Sequence, residues 1–240
     1  MTTTQPITVW LTTNTTTQPR APTHGRSEPP PPPRTQPPTN PGDFQVITIL
    51  EELTIPYTIK CLHPNELKKR PFTTINPNSR VPAIHDPSTN LTLWESSAIT
   101  QYLIDTYDIQ KRLTYEDLPR KHLLNQYLHF QSSGQGPYFE QCGWFSIHHP
   151  EHIPSAITRY KTEVHRILSV LDTVLEGREW LVGEKCTYAD LAFLTWNAQL
   201  RNLVPRGADE DERKYPWVER WQERMEGREA WRRVVEALIY

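Results

Sequence analysis

The sequence predicts a small α/β unit followed by an all-helical unit. Three observations carry that expectation. Strand, helix and strand signals follow one another between Ile7 and Leu62. A hairpin between Val81 and Trp94 runs directly into a helix. From Arg120 onward, apolar residues recur at helical spacing almost throughout.

The chain has 240 residues, enough for two modest domains, with 36% hydrophobic residues and a mean hydropathy of -0.65. No apolar run reaches bilayer length and the N-terminus has no basic flank with an apolar stretch behind it. Neither a membrane span nor a signal peptide is therefore expected. The net charge is -2 with no basic block, which argues against nucleic acid as a partner. The three cysteines, Cys61, Cys142 and Cys186, are widely spaced and form no CxxC pair. They indicate a reducing compartment and no disulfide framework or zinc ribbon.

Ile7 to Leu11 is β-prone and predicts the first strand. From Thr12 to Pro41 the chain is dominated by Thr, Pro, Asn, Gln and Arg, with a proline run at Pro29–Pro33. Such a segment buries little apolar surface and lacks backbone donors. It reads as a solvated surface insert of about residues 13–40 rather than a partner-binding proline motif, and a retained piece of gene model is the other alternative. Phe44, Val46, Ile47, Ile49 and Leu50 predict a helix ending near Leu53, with Asp43 as its candidate N-cap. Tyr57–Leu62 reads as the second strand, which makes a βαβ unit with parallel pairing. A short strand after Arg80-Val81-Pro82, the turn Asp86–Asn90, the strand Leu91–Trp94 and a helix opening at Glu95-Ser96 follow. The order β-α-β-α-β-β-α is that of a thioredoxin-like domain. A hairpin that feeds straight into a helix leaves the first helical N–H groups unpaired, with Glu95 and Ser96 beside them. That is a site for an anionic group.

In the second unit, Lys121–Gln131 is helical and Ser132–Pro137 breaks or kinks it through Gly134, Gly136 and Pro137. Ile157–Leu175 is a strongly amphipathic helix stopped by Gly177. Thr187 to Asp190 reads as a capping box. The helix it opens is apolar all round and is expected at the centre of the helical unit. Tyr215–Met225 and Ala230–Leu238 are amphipathic and turn Trp217, Trp221 and Trp231 inward. His148, His149 and His152 cluster beside Pro150 without acidic or thiol partners at ligand spacing, so no metal site is expected.

Seven runs of the chain resemble the cytosolic glutathione transferases, specifically the fungal Ure2-like branch. They are FQVITILEELTIPY, NPNSRVPAI, LTLWESSAITQYLIDTYD, FQSSGQGPYF, HPEHIPSAITRY, LDTVLEGREWLVGEKCTYADLAF and YPWVERWQERM. The resemblance spans nearly the whole chain except the proline-rich insert and the ends. It implies a transferase N-terminal domain over residues 1–110 and a helical C-terminal domain over 116–240, in a cytoplasmic homodimer. Glutathione would be the co-substrate and a small electrophile the second one, in detoxification or fungal secondary metabolism. The alternatives are a glutathione-binding regulatory protein without turnover and a glutathione-dependent disulfide reductase or peroxidase.

The same resemblance implies residue roles. Pro82 stands at the family's cis-proline, with the Val81 backbone pairing with the cysteinyl part of glutathione. Glu95 would take the γ-glutamyl ammonium, and Ser96 with the helix N-terminus its carboxylate. Arg80 is structural. At Leu67-Lys68-Lys69 the chain departs from the Ure2-like pattern, which has a His contacting glutathione, and Lys68 or Lys69 would hold the glycyl carboxylate instead, the alternative being simply solvated lysines. Gln131, Ser133, Gln135, Tyr138, Phe139 and Trp144 are the candidate walls of a second-substrate pocket. The catalytic donor that lowers the thiol pKa departs from the family pattern. Gly42 stands where a catalytic Asn is expected, and Asp43 beside it would oppose a thiolate as an anion. Asn40 is the leading donor candidate, with Thr12, Thr13 and Asn14 as alternatives.

Overall fold

A computed structural model describes residues 5–12, 40–198, 200 and 215–239. Thr13, Asn14 and the proline-rich insert up to residue 39 lie outside the described residues. The first unit is built from β1 (Ile7–Thr12), α1 (Pro41–Leu53), β2 (Tyr57–Leu62), the short α2 (Phe72–Ile75), β3 (Ala83–Asp86), β4 (Leu91–Trp94) and α3 (Ser96–Tyr107). The sheet order is β2-β1-β3-β4. β1 runs parallel to β2 and antiparallel to β3, and β3 is antiparallel to β4. This is the thioredoxin-like arrangement predicted. Alternation in β1 sends Ile7, Val9 and Leu11 fully into the core, in one hydrophobic cluster with Val46, Ile47 and Leu50 of α1 and Ile99 and Leu103 of α3.

The hairpin is held by one carboxylate. Asp86 is fully buried and accepts hydrogen bonds from the hydroxyls of Tyr102 (2.6 Å) and Tyr107 and from the Ser88 N–H (2.8 Å). It therefore ties the β3–β4 turn to α3, and these bonds draw its carboxyl below the usual range despite its burial.

The second unit holds α4 (Leu118–Phe130), α5 (Gly136–Gly143), α6 (Pro154–Leu175), α7 (Tyr188–Ala198), α8 (Pro216–Glu226) and α9 (Glu229–Ile239). The glycine-bearing interruption after α4 is a π-helical turn, Gln131–Gln135, and a second one, Trp144–His148, follows α5. Such turns insert a residue into the helical ladder and re-aim side chains, often at functional sites. α7 is buried over Tyr188–Thr195 and packs on α1, α4 and α8, as its all-round apolar pattern predicts. Its start is organised by Asp190, fully buried. Asp190 accepts from the Leu181 N–H (2.9 Å), the Thr187 N–H (2.9 Å), the Thr187 hydroxyl (2.6 Å) and the Trp221 indole N–H (3.0 Å).

α9 belongs to both units. Arg228 forks onto Glu52 at 2.5 and 2.8 Å, and Arg233 reaches Glu51 at 2.7 Å, so the last helix is clamped to the C-terminal end of α1. Trp231 packs against Phe44 with ring centroids 6.1 Å apart.

Candidate functional site

Helix α1 starts differently from the sequence expectation. Its N-cap is Asn40, not Asp43. The Asn40 Oδ1 accepts from the Gly42 N–H at 3.1 Å, and Pro41 sits in the first helical turn. The Asn40 amide also donates to the Val81 carbonyl at 3.0 Å. One side chain thus caps the start of α1 and fixes the loop before Pro82, whose peptide bond with Val81 is cis. A Cβ built on Gly42 would lie 3.1 Å from the Pro82 Cδ and 3.7 Å from the Ser96 Cβ. The starts of α1 and α3 and the cis-proline loop therefore meet at this glycine, and any side chain here presses on Pro82.

Asp43 is fully buried, and desolvation pushes its carboxyl well above the usual carboxylate range, offset in part by a backbone hydrogen bond from Thr12. The expected anion opposing a thiolate is thereby weakened, because burial favours the neutral acid. A pH effect on stability follows. The native state holds the proton more tightly than the unfolded chain, so this contribution is complete below the ordinary carboxylate pKa of ~3.9. It is lost as pH rises through the elevated native value. In urea titrations, Asp43→Asn is expected to match the wild type at the acid end of the accessible range and to gain on it progressively toward neutral pH. A difference independent of pH would sink this account.

At the start of α3, Glu95 holds the N-cap position with a φ of 73°, and its carboxylate accepts from the Asn78 amide at 3.4 Å. The Ile99 N–H bonds back to the Glu95 carbonyl, so the earlier α3 N–H groups lie outside that ladder. Ser97 adds a hydroxyl oxygen that is buried and without a hydrogen-bond partner.

Asn40, Val81, Pro82, Glu95 and Ser96 all line one cleft of about 1200 Å³ between the two units. Lys68 is exposed and lies off this lining, where Leu67 takes its place. Thr13 lies outside the described residues. Of the pocket walls expected from sequence, Gln131 and Trp144 line the cleft, whereas Ser133, Gln135, Tyr138 and Phe139 do not. Phe139 is fully buried with its ring edge-on to Trp196, Tyr138 packs against Tyr160, and Gln135 is buried with its amide on Asn197 at 2.7 Å. One helical turn separates facing positions, and the π-turn before α5 decides which of them turn inward.

Sequence reasoning missed several cleft residues: Phe44, Ile147, His148, Thr195, Trp196 and Trp231. Trp231 was legible as an inward-facing aromatic of the last helix. The buried α7 pattern, apolar all round, carries no signal of which residues face a cleft. Among the described residues no group of three or more His, Cys, Asp or Glu side chains is placed to hold a metal ion.

Fold and cleft define a thioredoxin-like domain joined to a helical domain with a cleft at their junction, and comparison with known proteins gives this class its family. Models described as "Glutathione S-transferase, N-terminal domain" and "Glutathione S-transferase, C-terminal domain" match residues 44–106 and 137–229. The glutathione S-transferase-like protein gedE of Aspergillus terreus is 39% identical over 83% of this chain and 92% of its own length. Among solved structures, the glutathione transferase URE2P6 of Phanerochaete chrysosporium, in complex with oxidized glutathione, superposes with a TM-score of 0.81. It is 33% identical and covers 99% of this chain and 98% of its own. Ure2p5 of the same organism, cocrystallized with 1-(S-glutathionyl)-2,4-dinitrobenzene, gives a TM-score of 0.74 at 35% identity over 82% and 89% of the two chains. The chain belongs to the glutathione S-transferase family, with its relatives in the fungal Ure2-type branch.

Proposed function

We propose that the chain binds glutathione against the cis-Pro82 loop and the α3 N-terminus and adds its thiolate to a small electrophile held by the helical unit. The observation that supports this reading most is the single cleft that gathers Asn40, Val81, Pro82, Glu95 and Ser96 on one side and Trp144, Trp196 and Trp231 on the other. The Glu95 carboxylate would pair with the γ-glutamyl ammonium. The free N–H groups of α3, with Ser96 and Ser97, would hold the neighbouring carboxylate.

Lowering the thiol pKa by one unit requires about 1.4 kcal/mol of preferential stabilisation of the thiolate. Two features of this chain supply it in our reading. The N-terminal end of α1 carries partial positive charge. The Asn40 amide keeps one hydrogen on Val81, while its other contact, to the Asp43 carboxyl, is long at 3.5 Å and yields to a thiolate. In the reaction the thiol proton leaves to solvent and the thiolate lone pair forms the C–S bond. The electron pair from the attacked carbon departs with its leaving group or onto a conjugated carbonyl.

A glutathione-binding protein without turnover is the second reading, favoured by the glycine at position 42 and by similarity to proteins named URE2, such as that of Candida albicans at 33% identity. Two measurements separate the readings. Millimolar glutathione is expected to raise the melting temperature, and purified protein is expected to conjugate members of an electrophile panel. A thermal shift without conjugation supports the binding protein. Turnover of a mixed glutathione disulfide without conjugation supports a reductase. No thermal shift sinks all three.

A further inference from the structure

The electrophile half of the cleft has a polar floor inside an aromatic frame. Gln131, the first residue of the π-turn, is only 2% exposed, lines the cleft, and its side-chain amide makes no hydrogen bond among the described residues. Thr195, in the middle of α7, is fully buried and also lines the cleft, and its hydroxyl has no partner. Gly136 borders this floor: a Cβ there would meet the Gln131 carbonyl oxygen at 3.6 Å, the Gln131 Nε2 at 3.7 Å and the Trp196 Cε2 at 3.7 Å, which places the Gln131 amide and the Trp196 ring around one spot. Behind them the Gln135 amide bonds Asn197, yet the Gln135 Oε1 and the Asn197 Nδ2 are themselves buried without partners.

Buried polar groups are nearly always hydrogen-bonded, and each one left unpaired costs roughly 1–3 kcal/mol. The Thr195 hydroxyl on the cleft floor, beside a Gln131 amide that no protein group engages, is a stability cost that the fold itself does not repay. A ligand that supplies the missing partner does. Around the floor the walls are flat and apolar. Trp144 is 46% exposed, Ile147 is 47% exposed, and Trp196 and Trp231 complete the frame. Aromatic walls with few convergent polar groups select a planar body and orient it by its oxygen atoms.

We propose that this half-site selects planar aromatic electrophiles with a hydrogen-bond-accepting oxygen, a ring carbonyl or acyl group, at the end remote from the carbon that the thiolate attacks. The Gln131 amide and the Thr195 hydroxyl donate to that oxygen, and Gly136 borders it. Electrophiles of the same shape without the oxygen leave both donors unpaired and bind more weakly. This selectivity rests on the glutathione reading above.

The test uses two stable conjugates, so that it does not depend on turnover: S-(4-acetylbenzyl)glutathione and its apolar isostere S-(4-isopropylbenzyl)glutathione. In titration calorimetry on the full chain, the wild type is expected to bind the acetyl conjugate about tenfold more tightly than the isopropyl one. Gln131→Leu is expected to bring that ratio close to one, and Thr195→Val to lower it in part. Thr195→Val is expected to unfold at a urea concentration no lower than the wild type, because it removes an unpaired buried hydroxyl, and Gln131→Leu close to the wild type, because its amide faces the cleft and no protein hydrogen bond is lost. Equal affinities of the wild type for the two conjugates, or a ratio that neither variant moves, would overturn the polar-floor inference and leave the glutathione reading standing. Failure of the wild type to bind glutathione or either conjugate would overturn the glutathione reading and this one with it.

Discussion

Asp190→Ala is expected to destabilise the chain by ~4 kcal/mol, a large share of the ~5–15 kcal/mol that holds a typical domain. The substitution strands four donors at once: the Leu181 and Thr187 N–H groups, the Thr187 hydroxyl and the Trp221 indole N–H. Each would cost roughly 1–3 kcal/mol alone, but they share one acceptor and relax together, so their sum exceeds the real effect. Burial raises the Asp190 carboxyl above its ordinary pKa, while the four donors pull the other way. Asp190→Asn keeps one acceptor oxygen and is expected to lose about half as much. Urea unfolding by tryptophan fluorescence reads both, since Trp221 is fully buried beside the carboxylate. An alanine variant within ~1 kcal/mol of the wild type would show that the cap is not what organises α7.

Glutathione affinity is expected to fall by about 10- to 100-fold in Glu95→Ala and by about tenfold in Ser96→Ala, because charge-assisted hydrogen bonds are worth roughly 1.5–3 kcal/mol each. The glutamate effect is expected to shrink in high salt, since Glu95 is exposed and its charge is screened. The serine effect is expected to persist, since Ser96 is half-buried beside Gly42 and Pro82. Calorimetric titration at low and at molar salt reads both. If neither variant moved glutathione affinity beyond twofold, the α3 N-terminus would not be where its γ-glutamyl end sits.

Much of the site's scaffold was legible in the sequence because its signals are local. The hairpin turn at Asp86–Asn90, the strand Leu91–Trp94 and the helix after Glu95 appear where β-propensity, turn residues and helical period placed them. The glycines around Gln135 marked a kink that proved to be a π-turn. The start of α1 was misread because Asp43 looked like a cap in its own short context. The Asn40-Pro41 pair, an N-cap followed by proline in the first turn, was the stronger signal. The floor of the cleft was not legible at all. Thr195 sits in a helix buried on every side, and only packing against α1 and the π-turn decides that its neighbourhood opens onto the cleft. Among the expected pocket aromatics, Phe139 became core because one turn of helix carries it to the far side of α5.

The double use of Asn40 has a consequence for how this chain tolerates change in length. β1 ends at Thr12, held in register with Leu62, and the chain enters α1 at a residue bonded to the Val81 carbonyl. Everything between those two anchors joins the site at fixed attachment points. Closing a longer connection costs only about 0.6 kcal/mol for each doubling of its length. The geometry of the cleft is therefore set where the chain leaves β1 at Thr12 and enters α1 at Asn40, and it answers to those two residues.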